Sequence, residues 1–223
     1  LGHDDPTMIR MLEDLTGIDA REIPLDSPEV MSLFKDTSAL GIKPEDIGGC
    51  KLGALGLPEF GTDFAMGMLI ETQPQHFSDL VRIAGLSHGT DVWNGNAQDI
   101  VKEGIVPFKE VIGCRDDIMV YLMNHGVEPL KSFKIMEFVR KGKASKDPDT
   151  WAKHKETMEK AGIEDCFIDS CFKIKYMFPK AHAAAYVISA FRIAWYKVHM
   201  PAYFYASWYS TKATDFDIDA MIK

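Results

Sequence analysis

Apolar residues recur at helical spacing along most of this chain, with short breaker-rich stretches between them. The first helix is predicted to begin at Asp5-Pro6-Thr7 and to end at Gly17, because Met8, Leu12 and Leu15 share one helical face. Similar faces follow prolines or capping residues further on. They predict helices at residues 28–34, 64–70, 76–84, 108–112, 118–123, 129–139, 151–161 and 182–199.

Glycine-rich stretches interrupt this pattern. Seven glycines between residues 40 and 67 predict loops, with one or two short strands around residues 51–57. Residues 85–91, GLSHGTD, predict a tight polar turn, and residues 140–149, RKGKASKDPD, predict a basic loop. The fold class is therefore mostly α, a multi-helix arrangement with glycine-rich loops and at most one or two short strands.

The charge is distributed unevenly. The chain sums to −8, yet residues 170–214 contain no Asp or Glu and six basic residues, so the rest of the chain sums to −14. An acidic protein that clears one segment of negative charge indicates a polyanionic partner there. The six basic residues are Lys173, Lys175, Lys180, Arg192, Lys197 and Lys212.

The helix within this window has an unusual start. Pro179 suits a first turn, but Lys180 and His182 stand where acidic residues are favoured. Basic side chains beside free helical N–H groups favour an anion such as phosphate. A polar stripe on one face admits two interpretations, a binding surface or a solvated face; it comprises His182, Ser189, Arg192, Tyr196 and His199.

Three other motifs each have two interpretations. Ser87-His88 suggests a weak hydrolase pair or a turn that presents polar groups to an anion, because adjacent turn residues seldom point at one another. Arg115 either pairs with its acidic neighbours or binds phosphate. The cluster of Arg140, Lys141, Lys143 and Lys146 is either solvated or in contact with a nucleic-acid backbone.

The sequence gives little indication of a metal site or of a membrane-spanning segment. The acidic groups Asp4-Asp5, Asp116-Asp117 and Asp215/Asp217/Asp219 all precede predicted helices, so capping explains them better than a divalent ion. The four cysteines have no zinc spacing and are predicted to be free thiols. Residues 181–198 carry His182, Arg192 and Lys197 and form a poor membrane span, and without a secretory leader we expect a cytoplasmic protein.

Several strings together resemble one family. They are LGHDDPTMIRML, IPLDSPEVM, LPEFGT, GLSHGTDVWNGNAQ, VIGCRDDIMVYLM, FKIMEFVRKGK, KIKYMFPKAHAAAYV and KVHMPAYFYAS. Over essentially all 223 residues, the chain resembles the fingers region of the bacterial replicative DNA polymerase III α subunit, of the PolC type found in Gram-positive bacteria. The resemblance implies a part of a DNA-directed DNA polymerase that binds incoming deoxynucleoside triphosphate and primer-template DNA. It also implies two Mg²⁺ ions, held by palm aspartates upstream of this chain.

The resemblance further implies roles for individual residues. Nucleotide contacts are expected from Ser87, His88, Gly89, Arg115, Lys175, Lys180 and His182. Tyr176 or Phe178 is expected to stack on the nascent base pair. DNA contacts are expected from Arg140, Lys141, Lys143 and Arg192.

The resemblance divides the chain into domains and names its partners. Residues 1–20 would be the edge of the palm, residues 21–213 the fingers, and residues 214–223 the start of the next segment. The partners would be the remaining polymerase domains and, through other parts of the protein, the sliding clamp and replisome. Without the palm aspartates the isolated chain is expected to be inactive. The alternatives are a stand-alone nucleic-acid-binding domain and a small hydrolase that uses Ser87 and His88.

Overall fold

The structure, a computed structural model, describes residues 4–214, and nearly all regular structure in this part is helical. The predicted mostly α fold class is confirmed. The α-helices of this part are α1 (Asp4–Thr16), α2 (Pro28–Ser32), α3 (Asp63–Thr72), α4 (Phe77–His88), α5 (Gln98–Lys102), α6 (Arg115–Asn124), α7 (Pro129–Val139), α8 (Pro148–Lys160), α9 (Asp165–Lys173), α10 (Lys180–His199) and α11 (Pro201–Lys212).

Local sequence explains where most helices begin. Ser27 accepts a hydrogen bond from the Val30 amide, and Pro28 then opens α2. Asp147 caps α8 in the same way through the Thr150 amide. Each cap satisfies an amide that has no partner within its helix, so the chain is directed into the helix at that residue.

The short strand predicted around residues 51–57 is wrong, because this stretch forms turns. The Lys197 ammonium donates to the carbonyls of Gly53 and Leu55, at 2.7 and 2.6 Å. A buried side chain thus satisfies carbonyls that a neighbouring strand would otherwise bind. The β-structure of the described residues is a single isolated bridge between Thr90 and Tyr176.

The tight turn predicted for residues 85–91 is also partly wrong, since α4 continues through His88. Gly85 therefore lies inside a helix rather than in a turn. A Cβ atom at this position would collide with the Cys114 sulfur and the Gly113 carbonyl. The glycine permits close approach of two segments, which composition alone does not distinguish from a turn.

The described residues form two compact units. The first consists of everything up to Leu80 together with everything from Ala184 onward, and the second is Val81–Ala183. In the first unit α1 packs against α11. Its core contains Phe34, whose ring lies 5.1 Å from that of Phe60.

The second unit holds α5 to α9, most of α4 and the first turn of α10. Here α6 packs against α7, while α5 and α9 contact the irregular turn Trp93–Ala97. Within residues 4–214 no helix combines the length and apolar character needed to cross a bilayer.

The polar stripe predicted on α10 is only partly a surface. Tyr196 is fully buried in the first unit, and its hydroxyl donates to the Ile18 carbonyl at 3.0 Å. His199 remains exposed, and its Nε2 lies 3.6 Å from a Glu29 carboxylate oxygen. Of the two interpretations of the stripe, neither fits Tyr196, which belongs to the core, while His199 has a surface contact.

Candidate functional site

An extended stretch between α9 and α10, residues 174–179, forms backbone hydrogen bonds with several elements of the second unit; we call it the central segment. Its first residues join the loop after α4. The Thr90 amide donates to the Tyr176 carbonyl at 2.9 Å, and the Lys175 amide donates to the Thr90 carbonyl at 3.0 Å. These bonds place the Ser87–His88–Gly89 motif beside Lys175 and Tyr176.

Two further elements join the same segment. The Arg115 amide, at the start of α6, donates to the Phe178 carbonyl at 3.0 Å. The Met177 amide donates to the Arg140 carbonyl at 3.1 Å, at the end of α7. The central segment therefore gathers three motifs that are far apart in the sequence.

A glycine makes one of these junctions possible. Gly142 has a φ of +65°, and a Cβ atom there would collide with the backbone of Lys175. Only a residue without a side chain accepts both the left-handed conformation and this close passage. The basic loop after α7 is thereby held against the central segment.

The aromatic residues of the site form a row. The His88 ring lies 5.0 Å from the Phe178 ring, and the Phe178 ring lies 6.2 Å from the His182 ring. Phe178 is only partly exposed, whereas Tyr176 is 43% exposed. Of the two residues predicted to stack on a base, Tyr176 offers the more accessible ring.

Ser87 and His88 do contact each other, contrary to the expectation for adjacent residues. The Ser87 hydroxyl lies 3.0 Å from His88 Nδ1, but this nitrogen also lies 2.7 Å from the Ala84 carbonyl oxygen. A carbonyl accepts only, so Nδ1 carries the proton and has no lone pair for Ser87. The pair lacks the base that a hydrolase needs.

The start of α10 already has acidic partners. The Lys180 amide donates to Asp116 Oδ2 at 2.8 Å, and the Lys180 ammonium lies 3.1 Å from Asp117 Oδ1. Asp117 also accepts from the amides of Gly113 and Cys114. Carboxylates of the first turn of α6 thus take the position that we predicted for an anion.

Other cations of the site have no acidic partner. Arg115 is partly exposed, and its guanidinium forms no hydrogen bond or ion pair with residues 4–214. Lys175 is exposed and donates to the neutral Ser145 hydroxyl at 2.6 Å. Their positive charges are not neutralised by a carboxylate in this part of the chain, so these two residues are the best placed to meet an anion.

The residues predicted to contact DNA differ in their surroundings. Arg140 and Lys141 both pair with Glu137, and the Arg140 hydrogen bonds in particular lower the pKa of Glu137 to about 2. Lys143 is exposed on the same loop. Arg192 belongs to the first unit, where its Nε is buried without a hydrogen-bond partner in the described part.

The acidic pairs that the sequence singled out form helix caps and an ion pair. Asp117 caps α6, as predicted, while Asp116 caps α10 instead of its own helix. Asp4 lies 2.9 Å from the Lys212 ammonium. Asp215, Asp217 and Asp219 lie outside the described residues. Within residues 4–214, no three His, Cys, Asp or Glu side chains come together as a metal site.

Sequence patterns alone missed two partners. Glu137 stands three and four residues before Arg140 and Lys141, and this spacing is the signal that would have identified the ion pairs. Asp116 caps a helix 64 residues away in the sequence, and no local pattern indicates such a contact. The four cysteines are free thiols, as predicted.

Comparison with known proteins identifies the class. Residues 5–164 match the model of the bacterial DNA polymerase III alpha subunit finger domain, which is more than half of the chain. The chain therefore belongs to the bacterial DNA polymerase III α subunit finger domain family.

Particular relatives define the type. The chain is 60% identical to a DNA polymerase III PolC-type of Bacillus subtilis, 57% to that of Oceanobacillus iheyensis and 58% to that of Staphylococcus aureus (strain MW2). All of this chain is aligned in each case, but it spans only 15% of each relative's length. The predicted resemblance to the PolC type is confirmed.

Proposed function

We propose that the chain is the fingers part of a replicative DNA polymerase, where it binds the incoming deoxynucleoside triphosphate and the primer-template during DNA synthesis. One observation carries the proposal. The central segment gathers the Ser87–His88–Gly89 motif, Arg115 and the Lys175–His182 stretch, which the resemblance assigned to the nucleotide. Convergence of distant motifs on one short segment is the arrangement that a shared ligand requires.

The triphosphate is proposed to meet three cations. Arg115 and Lys175 offer charges without acidic partners, and a guanidinium can hold two phosphate oxygens at once. Lys180 contributes once Asp116 and Asp117 release it. The polar residues Ser87, His88, Gly89 and His182 complete the nucleotide contacts.

Other residues are proposed to contact the base and the DNA. Tyr176 is proposed to stack on the nascent base pair, with Phe178 supporting the row of rings beside it. Lys143 is the most available contact for the DNA backbone. Arg140 and Lys141 would share their charge with Glu137, and Arg192 is a further proposed DNA contact.

The chemistry itself is proposed to depend on residues outside this chain. Two Mg²⁺ ions, held by aspartates elsewhere in the polymerase, would activate the primer 3′-hydroxyl and stabilise the departing pyrophosphate. The residues of this chain position the triphosphate and the base. The sliding clamp and the replisome would be reached through other parts of the protein, in the cytoplasm.

Substitution of Arg115 and of Lys180, the cations at the starts of α6 and α10, tests the proposal. In the full-length polymerase, Arg115→Ala and Lys180→Ala should each raise the KM for deoxynucleoside triphosphate about tenfold or more, because each removes a charge-assisted hydrogen bond to phosphate. Primer extension at graded nucleotide concentrations measures this effect.

The control is Lys155→Ala, since Lys155 is an exposed lysine on α8 that faces a surface glutamate. It should leave the KM unchanged. Normal KM values in both test variants would refute the phosphate assignment. DNA binding by the chain that depends on salt but never responds to triphosphate would favour the stand-alone nucleic-acid-binding domain.

A further inference from the structure

The second unit contains a cavity that the proposed nucleotide site does not use. Its volume is about 360 Å³, and it lies among α5, α6, α9 and the linker before α6. Aliphatic side chains form much of its wall, including Ile100, Val111 and Ile112. Such a volume accepts a single amino-acid side chain together with part of its backbone.

One wall of the cavity is a stack of aromatic rings. The Tyr121 ring lies 4.0 Å from the Phe167 ring at an interplanar angle of 14°, and 4.2 Å from the His125 ring. Three rings that line the cavity are therefore in contact with one another. Aromatic faces attract cations when a ligand excludes water from the contact.

The charged groups among the described lining residues are carboxylates. Glu110 and Glu164 supply two carboxylates, and neither has an ion-pair partner in residues 4–214. The His125 Nδ1 lies 2.9 Å from the Tyr121 carbonyl, so it carries a proton and leaves Nε2 as an acceptor in the neutral ring. Among the described lining residues there is no lysine or arginine.

The negative charges of Glu110 and Glu164 affect the ionisable groups that line the cavity. Burial, followed by the charge of Glu164, raises the pKa of the Tyr121 phenol, and Glu110 acts in the same direction. Burial and a hydrogen bond to Glu164 likewise raise the pKa of the Cys166 thiol. In both cases carboxylates without a cationic partner, beside an apolar wall, help to raise the pKa. The same surroundings stabilise a bound cation and destabilise a bound anion.

We propose that this cavity binds the guanidinium side chain of an arginine presented by another protein segment. The long apolar stem of arginine matches the aliphatic wall, and its planar head matches the aromatic stack. Its five N–H donors match the two carboxylates and the free nitrogen of His125. A neutral side chain of the same shape would lack the charge that the lining requires.

A pair of matched probes tests the proposal with the full 223-residue chain. N-acetyl-arginine methylamide should shift the ring resonances of Tyr121 and His125 in NMR titrations at millimolar concentration. N-acetyl-citrulline methylamide, which has the same shape without the charge, should bind at least about fivefold more weakly. Equal affinities for the two probes, or no shift with the arginine probe, would overturn the proposal.

Substitutions locate the binding within the cavity. Glu164→Gln and Glu110→Gln should each lower the affinity for the arginine probe about fivefold and leave the affinity for the citrulline probe unchanged. Glu156→Gln is the matched control, because Glu156 is an exposed carboxylate on α8 that pairs with Lys160. The proposal fails if Glu156→Gln weakens binding as much as the cavity variants do. Unaltered spectra outside the cavity show that each variant remains folded.

Discussion

Lys197 shows what a single residue can do in the first unit. It is a charged residue in a core, only 3% exposed, and its ammonium is held by the carbonyls of Gly53 and Leu55. The Phe204 ring lies 5.6 Å away and offers its face to the same ammonium. Lys197 thus organises a glycine-rich turn that has no regular hydrogen bonding of its own, although burying the charge is costly.

The stability of the chain should therefore depend on the protonation of Lys197. Burial lowers the pKa of this lysine from 10.5 to about 8. Between these values the unfolded chain binds a proton that the folded chain releases, so the free energy of unfolding rises with pH. Across this interval the free energy of unfolding of the native chain should rise by up to about 3 kcal/mol relative to that of Lys197→Met, since each pKa unit corresponds to about 1.4 kcal/mol.

Urea unfolding of both chains at several pH values from 7 to 10.5 measures this difference. The exposed Lys51 provides the control, because Lys51→Met should show no such dependence on pH relative to the native chain. A constant difference between the native chain and Lys197→Met over the whole range would contradict the prediction.

At the scale of elements, two helix starts share one set of carboxylates. Asp117 caps α6 through the amides of Gly113 and Cys114, while Asp116 accepts the amide of Lys180 at the start of α10. If a triphosphate binds at this end of α10, it competes with Asp116 for the same N–H group. The acidic first turn of α6 would then act as a resident substitute for phosphate.

Removing that competitor should strengthen nucleotide binding. Asp116→Asn takes away a negative charge beside Lys180 but leaves an oxygen that can still accept the amide. The KM for deoxynucleoside triphosphate in the full-length polymerase should fall severalfold, because phosphate no longer displaces a carboxylate. Asp149→Asn, at an exposed position in α8, should have no effect. An unchanged or higher KM in Asp116→Asn would show that phosphate does not bind at this helix end.

At the scale of the whole molecule, the chain is one part of a much longer type of protein. It aligns over its full length with PolC-type polymerases but spans only 15% of each. The basic residues of its window are mostly held internally, for example Lys173 by the Gly95 carbonyl and Lys212 by Asp4. Basic residues of the window that composition marked as positive therefore make contacts within each of the two units.

The isolated chain is expected to bind ligands without catalysing their reaction. The 223-residue chain, given primer-template, Mg²⁺ and deoxynucleoside triphosphates, should not extend the primer, because the metal-binding aspartates are expected elsewhere. Triphosphate binding measured by calorimetry should persist and weaken in Arg115→Ala. Primer extension by the chain alone would contradict the proposal that the catalytic metal site lies outside this chain.

The sequence determined the family and most of the longer helices. It did not predict α5 or α11, and the helix predicted at residues 108–112 is only a short 3-10 turn, Phe108–Glu110. Ser27 and Pro28 act within a single helical turn, so a local pattern is enough to place the start of α2. Asp147 and Pro148 carry the same kind of signal for α8, but they stand in the stretch that was predicted to be a basic loop. The family depended on strings of adjacent residues, which are equally local. The same applies to the ion pairs of Glu137, which spacing alone would have indicated.

Only the tertiary structure decided what the candidate site is. Whether Gly85 makes a turn or a close contact depends on Gly113 and Cys114, and whether the start of α10 is free depends on Asp116. These contacts join residues that are far apart in sequence, and the chain forms them only after loop closure and packing have brought the elements together. No local pattern encodes such a pairing, so the sequence indicated an anion site at α10 while the fold supplied carboxylates to that position.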